Sequence, residues 1–144
     1  MVFNMKKLAL VGAVGFTLLA ASAMAQDQAD LQKGQTLFNT YCVACHVTTG
    51  TATIAPPVFA VVQRVKKDYS GQAEFVDRVV DWVANPSVAE ALMKGAVNKF
   101  GVMPKLGYAE ADVRLIAEYM YAGDLQAPAE FAEKHADGQG HDNH

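Results

Sequence analysis

Two thiols and an imidazole fall within five consecutive residues, Cys42-Val43-Ala44-Cys45-His46, and the 144-residue chain has no other cysteine. The spacing C-x-x-C-H is the attachment pattern of covalently bound haem. Each thiol can add to one vinyl group to form a thioether, and the two-residue spacer sets both sulfurs along one haem edge. The adjacent imidazole then lies beneath the iron, so attachment and ligation are fixed by one turn of chain. Three other chemistries use only part of this set. A thioredoxin-type redox pair calls for a βαβ setting. A zinc site would need a fourth ligand from His135, His141 or His144, in the polar end of the chain. A disulfide, the usual reading of two cysteines in an exported chain, is a poor staple at this separation and leaves His46 without a role.

Iron held by His46 takes a sixth ligand or keeps an open position. Beyond the first 25 residues the chain offers Met93, Met103 and Met120. Met93 and Met120 fall on helical faces, where methionine commonly fills a core. Met103 lies in Phe100-Gly101-Val102-Met103-Pro104-Lys105, a segment broken by glycine and proline and able to fold over the second haem face. Met103 is therefore the expected distal ligand, with an open or different ligand as the alternative. Thioether ligation favours reduced iron and raises the potential.

The elements that must position these groups read as helices throughout. Leu31, Gly34, Leu37, Phe38 and Tyr41 recur at spacings of three and four, predicting a helix over about 30–41 that delivers the thiols. Gly34 interrupts that stripe at a cost in helix stability, which points to a close approach of another backbone. Residues 48–57 read as a loop, 58–67 as a short helix, and 71–84 as a stronger one with Phe75, Val76, Val79, Val80 and Val83 on one face. Asn85-Pro86 ends it. Ser87 and Glu90 form a capping box for a short helix through about Met93. Residues 99–108 read as a loop. The last helix spans 109–122, with Val113, Ile116, Ala117 and Met120 inward and Gly123 as its cap. No strand, repeat or second domain is predicted.

Met5-Lys6-Lys7, the uncharged run from Leu8 to Leu19 and the small-x-small pattern Ala23-Met24-Ala25 have the order of a secretory signal peptide. Residues 1–25 are expected to be cleaved, with a retained membrane anchor as the alternative. Residues 26–123 form the domain, and 124–144 a polar tail without a packed core. No segment after the signal is apolar enough to span a membrane. Removing Lys6 and Lys7 moves the formal charge from −3 to −5, which argues against a nucleic-acid partner. Lys94, Lys99 and Lys105 flank the Met103 segment; ordinary solvation accounts for them, and rimming an exposed haem edge is the sharper reading.

Between Asp30 and Gly123 the chain resembles class I monohaem c-type cytochromes, which place C-x-x-C-H early and the methionine ligand in a late loop. Class II cytochromes carry the motif near the C-terminus. The resemblance implies a small all-α cytochrome c-like fold of four to five helices around one covalent haem c. It further implies a close crossing of first and last helices, for which Gly34, Phe38, Ile116 and Tyr119 match. The family's proline after the motif, whose carbonyl accepts a bond from the histidine ligand, is best matched by Pro56 in Ala55-Pro56-Pro57-Val58, although alanine stands where glycine is usual. Trp82, the single tryptophan, either bonds a haem propionate, as an aromatic donor does in some members, or packs beside Val79 and Val83. The expected function is a non-enzymatic, periplasmic carrier of single electrons between redox-partner proteins such as a dehydrogenase, oxidase or reductase. A haem subunit bound to a dehydrogenase and a gas- or peroxide-binding protein with open iron are the alternatives.

Overall fold

The computed structural model describes residues 9–49, 51–123, 125 and 127, with side chains from residue 24 onward. Five helices follow in order: α1 (Ala9–Tyr41), α2 (Val58–Asp68), α3 (Gln72–Ala84), α4 (Lys94–Phe100) and α5 (Glu110–Ala122). No strand occurs among the described residues, so the all-α expectation holds.

Helix α1 starts well before the expected Asp30. No glycine or proline stands between residues 16 and 33, and the alanine-rich stretch favours continuation. Residues 24–29 are all exposed, and Asp30 is the first that is partly buried. The expected start therefore marks where α1 acquires packing partners. The apolar spacing that predicted residues 30–41 reports burial, not helix length.

The first and last helices cross at Gly34. A Cβ added there would collide with the Leu115 carbonyl oxygen and lie 2.9 Å from both the Leu115 carbonyl carbon and Tyr119 Cβ. Only a hydrogen side chain permits this approach. Next to it Phe38 is 1% exposed, and its ring centroid lies 5.7 Å from that of Tyr119. The inner face of α5, Val113, Ile116, Ala117 and Met120, joins Phe75, Val76, Val79 and Val80 of α3 in one core. Burying a phenylalanine as fully as Phe75 contributes about 2–3 kcal/mol. The exposed ion pair Arg114–Asp77 at 3.0 Å also links α5 to α3, but pairs of this kind contribute about 0–1 kcal/mol. Gly123 is the C-terminal cap of α5, as expected: its N–H bonds the Tyr119 carbonyl at 2.7 Å, with extended backbone at φ −73° and ψ 157°.

Helix α2 buries Val58, Phe59, Val62 and Val65, and Lys66 Nζ reaches the Tyr121 carbonyl at 2.7 Å. Helix α3 stops at Asn85 as expected. The helix expected over 87–93 is not formed. Ser87 Oγ does accept the Glu90 N–H at 3.3 Å, but residues 88–90 make only a turn, and the next helix begins at Lys94. Arg78 of α3 donates to the Glu90 carbonyl, and Arg64 of α2 donates to the Leu92 carbonyl at 3.2 Å. The Ala91 N–H, which a helix capped by Ser87 would bond to the Ser87 carbonyl, goes instead to the Val88 carbonyl at 3.4 Å, so the segment closes one turn and is anchored by arginines of α2 and α3.

Helix α4 fully buries no residue and forms neither of the principal helix–helix interfaces, α1–α5 and α3–α5. Of the expected signal peptide, residues 1–8 lie outside the described residues; of the expected tail, only Leu125 and Ala127 lie within them. No described helix is long and apolar enough to cross a membrane.

Candidate functional site

Where α1 ends, the chain makes a tight turn: Cys45 N–H and His46 N–H both bond the Cys42 carbonyl, at 3.1 and 2.8 Å. That turn sets Cys42, Cys45 and His46 along the lining of one cavity of about 340 Å³. Small-molecule and cofactor sites span about 300–1,000 Å³. The same lining contains Pro56, Trp82 and Met103, so all six residues singled out from the sequence meet in one place. Met93 and Met120 line it as well, although Met120 is only 6% exposed and belongs to the core.

His46 Nδ1 lies 2.9 Å from the Pro56 carbonyl oxygen. A carbonyl can only accept, so Nδ1 carries the proton and Nε2 keeps its lone pair for a metal. Burial holds the imidazole below its ordinary value of 6.5, with the Pro56 bond opposing, so it is neutral at pH 7. The Val58 N–H to Val47 carbonyl bond, 3.1 Å, fastens the segment that carries Pro56 to the chain just after His46. The Cys42 thiol is pushed up to about 11, first by burial and then by Cys45. It stays protonated at neutral pH. No cluster of three or more metal-ligating His, Cys, Asp or Glu residues occurs among the described residues, and both cysteines are free.

Met103 sits in a stretch without regular structure, residues 101–109. Gly101 and Gly107 bracket it with φ of 82° and 72°, left-handed values that any Cβ would strain. These two glycines turn the chain at either side of the methionine.

Sequence reading missed Arg78. It is the one ionised side chain in the lining, and its Nε is buried without a hydrogen-bond partner. Its guanidinium carbon lies 5.8 Å from the Trp82 ring centroid. No carboxylate pairs with it among the described residues. Arg78 as a whole is half-buried, but a buried N–H donor left without an acceptor is costly, and an anion at the cavity would supply one. The available signal was positional: Arg78 falls between Phe75 and Trp82 on the apolar side of α3. The donor set of two thiols, a neutral imidazole and a thioether, the apolar walls and this unpaired cation suit haem, a flat apolar ring that carries iron and two carboxylates.

Comparison with known proteins agrees. Residues 31–123 match the family described as Cytochrome c. An uncharacterized protein of Aquifex aeolicus (strain VF5) is 34% identical over 123 residues, covering 72% of this chain and 81% of that protein. No solved structure shows significant similarity.

Proposed function

Given that the chain belongs to the cytochrome c family and therefore binds haem c covalently, we propose that it is an exported, single-haem electron carrier with His46 and Met103 as axial ligands. When bound, haem iron supplies a one-electron couple between ferrous and ferric states. Cys42 and Cys45 would hold the group through thioethers. His46 would present Nε2, its ring oriented and made more basic by the Pro56 carbonyl. Met103 would be the second protein ligand to the iron and would keep substrates from it. Arg78 would meet a haem carboxylate, with Trp82 beside it. The apolar lining excludes water, which lowers the reorganisation that accompanies electron transfer.

The observation that carries this reading is the single cavity lined by Cys42, Cys45, His46 and Met103 together. The reading includes a cleaved signal at residues 1–25, a periplasmic domain at 26–123, a polar tail at 124–144, and redox proteins as partners. Its test is the visible and near-infrared spectrum of purified holoprotein, oxidised and reduced, with carbon monoxide added. A low-spin spectrum, an iron–sulfur band lost in Met103→Ala but kept in Met93→Ala, and no carbon monoxide binding are expected. A high-spin spectrum that shifts with carbon monoxide would replace the carrier with an open-iron protein.

A further inference from the structure

The segment that bears Met103 is sparsely held. Among the described residues, none from 102 to 108 takes part in a backbone–backbone hydrogen bond. Two side-chain bonds tie it down. Lys105 Nζ donates to Asn85 Oδ1 at 3.2 Å on the exposed surface. Tyr108 Oη donates to the Tyr41 carbonyl at 3.4 Å in a partly buried setting. The second contact is reinforced by the rings themselves: Tyr41 and Tyr108 stack with centroids 4.5 Å apart and planes 9° from parallel. Tyr41 is the last residue of α1 and directly precedes Cys42, while Tyr108 follows Met103 by five residues. Both line the cavity. One contact thus joins the methionine segment to the turn that carries the thiols, across 67 residues of sequence.

We propose that the Tyr41–Tyr108 stack is a latch that positions Met103, so that it, and not the thioether alone, sets how readily the sixth position opens. This rests on Met103 being the distal ligand. Tyr108 is a positioning residue: it acts on the iron only through the segment it holds. An external ligand binds only the population in which the segment has swung away, so its apparent affinity rises in proportion to that population. An aromatic pair shifts such an equilibrium by roughly two- to tenfold.

The test is imidazole titration of the ferric holoprotein, followed by loss of the iron–sulfur band. Tyr108→Leu, which keeps apolar bulk without a ring, is expected to bind imidazole several-fold to about tenfold more tightly. Tyr41→Leu should reproduce the effect from the other side. Tyr108→Phe keeps the stack and is expected to restore near-native affinity. Lys105→Ala, which removes the exposed tether, should change affinity less than twofold. Affinities within twofold of wild type for both leucine variants would overturn the latch while leaving Met103 ligation intact. So would a Tyr108→Phe protein that binds imidazole as tightly as Tyr108→Leu, since the ring contact would then not be the cause. An absent iron–sulfur band in the wild type would instead refute Met103 ligation, and the latch with it.

Discussion

Gly34→Ala sets two ordinary forces against each other. Within a helix, alanine is favoured over glycine by about 1 kcal/mol, so propensity alone predicts a more stable protein. The crossing predicts the reverse. The new methyl carbon would lie 2.9 Å from Leu115 C and Tyr119 Cβ and closer still to Leu115 O. Carbon atoms in contact prefer about 3.5–4.0 Å, so relief takes a separation of at least roughly 0.6 Å. Two of the three obstructing atoms are backbone and cannot rotate aside, and α1 and α5 must part as rigid bodies. A gap of 0.5–1 Å forfeits about a quarter to a half of each contact it opens, and Phe38 and Ile116, 1% and 3% exposed, sit beside the crossing. Overpacking of this type costs about 1–3 kcal/mol. Taking its upper part and subtracting the propensity gain leaves a net loss of about 1–2 kcal/mol, a fall in Tm of roughly 4–16 °C for a domain of this size. Thermal unfolding of the holoprotein, read at the haem band and by far-ultraviolet circular dichroism, measures it. A Tm equal to or above that of wild type would refute the argument, because it would mean that the crossing yields more easily than the helix gains.

Three further outcomes are expected. Arg78→Gln should lower the reduction potential and destabilise the holoprotein by about 1.5–3 kcal/mol, the scale of a lost charged hydrogen bond, with Arg78→Lys recovering only part; an unchanged potential in spectroelectrochemistry would remove Arg78 from the site. Stability of the protein made without haem should fall as pH drops below about 6.5: burial holds the free His46 imidazole below its ordinary value in the fold, so the unfolded chain takes up the proton first and stability is lost on acidification. A denaturation midpoint that rises on acidification would contradict this sign. Protein made without haem should lose protection first in α2 and α4 in hydrogen exchange, since α1–α5 and α3–α5 are the principal helix interfaces; uniform native-like protection would show that the cavity needs no occupant.

What the sequence disclosed follows the range of the forces involved. The C-x-x-C-H turn is local chemistry. Helices α3 and α5 were legible because their buried faces, Phe75 to Val80 and Val113 to Met120, repeat every three to four residues. Gly34 was legible because a glycine weakens the helix it interrupts, a cost that close approach of a second backbone offsets. The Pro56 carbonyl's bond to His46 came through resemblance alone, since every residue offers a carbonyl. The helix expected at 87–93 had a valid local cap, but the Ala91 N–H closes a single turn onto Val88 instead of bonding Ser87, and arginines 28 and 12 residues away anchor the Leu92 and Glu90 carbonyls. The tyrosine stack, between residues 67 positions apart, left no local trace.

The crossing of α1 with α5 has a consequence in time. It joins the first described helix to the last, with Gln35 and Tyr119 in contact across 84 residues, so it cannot exist until nearly the whole domain has left the ribosome. Contacts of such sequence separation also form slowly. The cysteines, by contrast, emerge early. Between those two moments Cys42 and Cys45 stand on an open chain, accessible to the machinery that joins them to haem, and closure of the last helix brings that interval to an end.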